Sequence, residues 1–301
     1  MKKLVTFGCS FTDYPQWPTW SDWMAHHYGE DDYEKHARGG VGARAVFNLI
    51  VKYLRSKDNF ENEHIIVQWG SCARDDKFPK NVSGLTTDQL NYVQCGSITN
   101  THCYTPEYIK NNFSFLQSVF ETVNYIYTVK SLFNNLGIQY TMTFMLDPRI
   151  SSFLGEPGFN SYNQDVSVAE MKLIQPYFDE LDKLIDDKFT DKCITMHQLD
   201  KVENVFCFND NVTGLPTREG HPSPSQHYEF FKKYITPHFP DKQFTETPEI
   251  VNLVQQWQDY AEIKKGVQDK VELEPKVWPC KKRYSGMNLT EVEFLKYSVV
   301  N

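Results

Sequence analysis

The chain has 301 residues, 40% hydrophobic and 15% aromatic, and 31 Lys and Arg against 39 Asp and Glu give it a net charge of −8. That much apolar surface excludes wholesale disorder, and the acidic balance excludes broad electrostatic capture of nucleic acid or anionic lipid. One large α/β domain with an appendage is the expectation, because single cores stop growing at about 250–300 residues.

Residues 3–8, Lys-Leu-Val-Thr-Phe-Gly, are a short β-rich run that breaks at Gly8-Cys9-Ser10-Phe11-Thr12. Apolar residues then recur at helical spacing over 19–28 before Gly29, which predicts strand, tight turn and helix. Residues 43–54 repeat the helical period after Gly39, Gly40 and Gly42, and residues 64–69 are an apolar run of strand length. A long helical stretch runs from 113 toward 133 and stops at Asn134, Asn135 and Gly137; residues 139–146 then read as a strand ended by Asp147-Pro148. Residues 169–189 are helical in pattern, 193–199 are a further strand candidate, and 225–235 read as a helix. Strand and helix alternate, which predicts a parallel sheet covered on both faces.

Two segments fall outside this alternation. The polar stretch 75–109, rich in Asn, Thr and Gly, is longer than a compact fold needs between strand and helix, so it reads as a functional lid or a flexible insert after a strand end. Beyond the domain of residues 1–240, the extension 241–301 has helical patterns at 248–265 and 288–297 around a Pro-punctuated stretch at 272–279, and its expected role is packing or assembly. No apolar run reaches the roughly 20 residues that span a bilayer, and residues 1–8 lack a signal-peptide core. The expectation is a mature N-terminus, no membrane insertion and a cytoplasmic location. Seven cysteines without a CxxC pair read as reduced thiols, not as a disulfide frame or a metal site.

A serine at a strand-to-helix turn stands at the carboxyl edge of the sheet, where backbone N–H groups and the next helix's N-terminus can stabilise an oxyanion. Ser10 is in such a turn. A hydroxyl needs a base to become a nucleophile, and His221 in Glu219-Gly220-His221-Pro222-Ser223-Pro224 precedes a predicted helix. Taken singly, Ser10 reads as a helix cap and His221 as a loop residue; their common placement makes them a candidate pair. The three glycines at 39, 40 and 42 do not spell a dinucleotide fingerprint, so no nucleotide cofactor is expected. Arg38, Asp147 and Arg149 sit at predicted strand ends or turns on one edge, as substrate-holding groups or as caps and ion-pair partners. Tyr14 and Trp17 follow the serine turn, placed to stack on a sugar ring or shield an acyl pocket, whereas Trp20 and Trp23, at i and i+3, pack a helix onto the core.

These blocks, in this order, resemble the SGNH or GDSL-type hydrolase superfamily over roughly residues 1–240. The resemblance implies a flavodoxin-like three-layer α/β/α sandwich with a mainly parallel sheet, followed by the C-terminal extension. It makes Ser10, in Thr6-Phe7-Gly8-Cys9-Ser10-Phe11-Thr12, the nucleophile, with Cys9 as a packed residue where an acidic one is commoner. His221 becomes the base and His227 a structural residue. In Ala37-Arg38-Gly39-Gly40-Val41-Gly42 the backbone N–H of Gly40, or of Gly42 in the alternative register, becomes an oxyanion donor, with a positive φ as a further reason for glycine.

Two blocks depart from the family pattern. In Val67-Gln68-Trp69-Gly70-Ser71-Cys72-Ala73-Arg74-Asp75, Cys72 stands at or beside the family's oxyanion-binding asparagine. A thiol is a poor donor beside an amide, which leaves Ser71 or Arg74 as substitutes; Arg74 alternatively pairs with Asp75 or Asp76. The family's aspartate three residues before the histidine is Arg218 here, so Glu219, a backbone carbonyl or a distant carboxylate orients the imidazole.

The resemblance implies a serine esterase without metal or cofactor, acting on a small-molecule or glycan ester, with O-acetylated carbohydrate favoured because the family often works on such groups and because the stretch 75–109 is polar. A first block reading Gly-Cys-Ser-Phe-Thr resembles phage-encoded members of the family, which implies a virion setting, with homo-oligomer or virion assembly through residues 241–301. Two further readings share the same residues: a binding or structural protein with little catalysis, and acyl transfer to an acceptor other than water.

Overall fold

Runs of apolar and β-branched residues build a sheet of four strands, β1 (Lys3–Gly8), β2 (Tyr33–Ala37), β3 (Glu63–Trp69) and β4 (Gln139–Phe144). They pair in the order β2-β1-β3-β4, all parallel. With helices between the strands, this is a flavodoxin-like α/β arrangement. The helices are α1 (Trp20–Tyr28), α2 (Ala43–Arg55), α3 (Pro106–Asn112), α4 (Phe115–Asn135), α5 (Pro224–Phe230) and α6 (Pro248–Lys264), and a short antiparallel hairpin of β5 (Cys207–Asn209) and β6 (Pro216–Arg218) precedes α5. The computed structural model describes residues 3–14, 17–72, 74–76, 106–145, most of 172–180, 207–209, 216–218, 222–239 and 243–264. Among them no helix is long and apolar enough to cross a membrane.

The strands expected at 3–8, 64–69 and 139–146 are β1, β3 and β4. β2 is an addition: its sequence, Tyr-Glu-Lys-His-Ala, has no apolar run. The polar stretch 75–109 ends in the first turns of α3, and the described residues of 172–180 are helical. The strand expected at 193–199 and the patterns at 272–279 and 288–297 lie outside the described residues.

The two-residue period of the strands sorts their side chains into two layers. On one face Phe7 stacks on His36 and meets Tyr53 of α2 edge-on, Tyr53 donates to Glu63 at 2.7 Å, and Tyr140 lies against Phe133 of α4. On the other face Lys35 reaches Asp22 of α1, Gln68 accepts from Trp20 of α1, and His64 lies against Phe239. α2 packs on α4 beneath the sheet and α1 packs on α5 above it, which completes three layers. Helix α5 starts from a capping box, Ser223 with Gln226, and Pro224 occupies its first turn. It continues into a π-helical turn, Phe231–Ile235. Val254, Trp257, Tyr260 and Ala261 of α6 join the same apolar core, so the extension 241–301 begins as a helix packed on the domain.

The edge strand β2 carries an acid-sensitive contact. Glu34 receives His36 Nε2 at 2.6 Å and pairs with Lys3. The hydrogen bond from His36 is the largest influence on its carboxyl; with Lys3 it outweighs the opposing effect of burial and holds the pKa at about 2. A depressed carboxylate stabilises the fold above its unfolded value of 4.5, and that contribution is lost as pH falls toward about 2. Glu34→Gln is expected to flatten the fall in urea midpoint across this window. An unaltered acid slope would show that Glu34 contributes nothing to it.

Candidate active site

Ser10 lies two residues past the end of β1 and is 4% exposed. Its turn is closed by the Cys9 carbonyl, which accepts the N–H groups of Thr12 at 2.9 Å and Asp13 at 3.0 Å. Side chains from three elements then hold the turn. Thr12 Oγ1 donates to Gln68 Oε1 at 2.8 Å, and the Thr12 carbonyl accepts Thr19 Oγ1 at 2.7 Å and Ser21 Oγ at 2.6 Å. Asp13 takes the Lys35 ammonium at 2.9 Å. Apart from Asp13 these partners are buried, so the serine is presented on a rigid support rather than on a mobile loop.

A second loop, 38–42, runs beside the first. Arg38 N donates to the Gly8 carbonyl at 3.2 Å, and a Cβ on Gly39 would sit 3.8 Å from Ser10 Cβ. Gly40 has φ 78°, the left-handed conformation expected for it. Gly42 is the N-cap of α2 and has no side chain to cap with. The missing cap arrives from the loop after β3. Asp76 Oδ1 accepts Gly42 N at 2.8 Å and Oδ2 accepts Ala45 N at 2.9 Å. Arg74 Nη1 donates to the Val41 carbonyl at 2.7 Å, and Arg44 Nη1 to the Asp76 carbonyl at 3.2 Å. Burial, the largest influence, pushes the Asp76 carboxyl above its ordinary pKa, against the opposing pull of the two N–H groups and of Arg74.

This clamp revises several expectations. The N–H of Gly42 is taken up by Asp76, and a Cβ there would lie 2.8 Å from Asp76 Oδ2, so Gly42 is a packing glycine and not the alternative oxyanion donor. Arg74 grips the glycine loop through Val41 while its charge attracts the buried Asp76 carboxylate. Cys72 is 1% exposed; burial pushes its thiol up to about 11, a hydrogen bond with Thr122 of α4 offsetting this in part, so it faces the core and not an oxyanion. Ser71 is 6% exposed in the same loop. Tyr14, expected to stack on substrate, is buried edge-on against Trp17 at 4.7 Å. Cys9 packs its Sγ 3.3 Å from Met145 Sδ, and buried His227 meets Phe11 edge-on, in keeping with structural roles for both.

Trp17 is fully buried and donates Nε1 to the Pro222 carbonyl at 2.9 Å. Pro222 follows His221 directly, so the chain one Cα step of about 3.8 Å from His221 is tied to the loop that follows Ser10. Trp17 is thus a strut between the two ends of the domain rather than a wall of an acyl pocket. His221, Glu219, Asp147 and Arg149 lie outside the described residues, while Arg218 closes β6 opposite Cys207.

The loops meet with little clearance. A Cβ on Gly70 would lie 2.9 Å from the Val41 carbonyl oxygen and 3.4 Å from Gly42 Cα, both backbone atoms. Gly70→Ala is expected to displace the glycine loop and cost about 1–3 kcal/mol, read as a lower urea midpoint at constant m. A variant as stable as the wild type would mean that the loop yields freely. Compared with models of protein families, with curated proteins and with solved structures, the chain matches none.

Proposed function

We propose that the chain is a serine esterase of the SGNH type that hydrolyses short-chain acyl esters, O-acetyl groups on carbohydrate first among them. The single observation that carries the reading is the Trp17–Pro222 hydrogen bond, which ties the chain beside His221 to the loop of Ser10 across 205 positions. Further support comes from the 38–42 loop alongside Ser10, with Gly40 in the conformation that glycine favours.

In this reading Ser10 Oγ attacks the ester carbonyl while His221 takes its proton. The N–H groups of Ser10 and Gly40 hold the oxyanion. His221 then gives the proton to the leaving alcohol, and an acyl-Ser10 ester remains. Water attacks that ester, His221 receives the water's proton and returns it to Ser10, and the carboxylic acid departs. Glu219 is the nearest carboxylate in sequence for orienting the imidazole.

A second reading is a binding or structural protein on the same fold. It is favoured by the core-facing thiol of Cys72 and by the engaged N–H of Gly42, which leave fewer oxyanion donors. Hydrolysis of p-nitrophenyl acetate, butyrate and octanoate by the wild type, Ser10→Ala and His221→Ala separates the two. The esterase reading expects acetate to be the best substrate and each variant to lose about 10³-fold or more in kcat. Equal rates in all three proteins would leave the binding reading standing.

A further inference from the structure

A cavity of about 140 Å³ opens between the start of α2, the 74–76 loop and helices α3 and α4, and neither Ser10 nor the 38–42 loop lines it. Its floor is buried, with Asp76 5% and Thr122 2% exposed, while Asn112 and Gln117 on its rim are exposed. Engineered cavities of about 150 Å³ hold one benzene ring, so this one has room for the body of a single six-membered ring, whose further substituents would extend through the open mouth. Its walls are polar, which excludes an apolar ring, because such a ligand would strip water from charged groups without replacing their hydrogen bonds.

The charges in the walls are already matched. Arg44 Nη2 donates to Glu121 Oε2 at 2.7 Å, and Arg44 Nε to Tyr125 Oη at 3.2 Å. Arg74 stands beside Asp76 and attracts its carboxylate, and Asp75 accepts the Tyr108 hydroxyl at 3.2 Å. An anion would meet the carboxylates of Asp75, Asp76 and Glu121, and a cation would meet two guanidinium groups, so a net charge of either sign gains little here. A hydroxyl suits both kinds of wall, because it donates to a carboxylate with one side and accepts from a guanidinium with the other. The alternation of Arg44, Glu121, Arg74 and Asp75 around one small volume calls for several hydroxyls on one compact frame.

We propose that this cavity, whose lining does not include Ser10, is a binding site for one neutral polyhydroxylated ring, a pyranose or a cyclitol. The inference is read by binding and not by turnover, so it stands or falls apart from the esterase reading. The probes are methyl α-glucopyranoside, methyl β-galactopyranoside and myo-inositol, with saturation-transfer NMR on the full chain as the readout. At least one probe is expected to receive saturation, and Gln117→Trp, which roofs the mouth from an exposed position, and Asp75→Ala are each expected to reduce the signal at least fivefold. Ser10→Ala is expected to retain it. No transfer to any probe, transfer that Gln117→Trp leaves unchanged, or loss of transfer in Ser10→Ala would overturn the site. So would displacement of the bound probe by phosphate or methylammonium. Gln117→Trp keeps the test decisive if Asp75→Ala fails to fold.

Discussion

Lys35→Met is expected to bring the protein to the edge of unfolding, with a loss of about 3–5 kcal/mol from a total of about 5–15 kcal/mol for a domain. Lys35 is 1% exposed in the middle of β2, and its ammonium lies 2.9 Å from both Asp13 and Asp22. Burial works against the charged amine, yet Asp22 and Asp13 outweigh it and push the Lys35 pKa up. An amine with a raised pKa gives its stabilisation in full below its unfolded value of about 10.4 and loses it only as pH climbs through the folded one. The cost of removal comes from what stays behind. Asp22 would remain almost wholly buried, still bonded to Thr19 N at 2.8 Å but with no cation beside it. Urea unfolding of Lys35→Met measures the loss, and the double variant with Asp22→Asn is expected to be less destabilised than the sum of the two single changes. Strict additivity would mean that the buried pair is not coupled.

The second large effect is expected at Asp76. Asp76→Ala removes the cap of α2 and strands two N–H groups, those of Gly42 and Ala45, for a combined cost of about 3 kcal/mol. Asp76→Asn is expected to fall between, because an amide offers one acceptor oxygen where the carboxylate offers two. In the esterase reading the same change frees the loop that carries Gly40, and a displacement of about 1 Å at an oxyanion donor lowers kcat on the order of 100-fold. KM is expected to move little, since the clamp lies behind the loop. The thermal midpoint and the p-nitrophenyl acetate rate are the measurements. A stable variant with wild-type kcat would remove the clamp from any account of the site.

Much of the sheet was legible because β1, β3 and β4 are apolar runs of strand length, and α1, α2 and α4 keep the helical period before recognisable stops. β2 was not legible, and Lys35 is the reason: a strand whose central inward residue is a lysine paired with two carboxylates does not look like a strand from its own letters. Ser10 and the glycine loop could be found from local turn chemistry. Asp76 could not, because its partners are more than thirty positions away. The only local trace was a glycine at the N-cap of α2, where a residue with a capping side chain is usual. Tyr14 and Trp17 follow a candidate nucleophile just as substrate-stacking residues would, and only the fold, with Tyr14 edge-on to Trp17 and Trp17 bonded to the Pro222 carbonyl, reveals that both are interior.

The bond from Trp17 to the Pro222 carbonyl also sets an order in time. Trp17 leaves the ribosome 205 residues ahead of Pro222. At about 5–20 residues per second, the indole waits on the order of 10–40 seconds for its acceptor. The first strands can pair during that interval, but the two halves of the Ser10–His221 pairing proposed above cannot meet. A chain released before residue 221 would keep its nucleophile turn and lack its base, so any activity of this kind would begin only after residue 221 has been made.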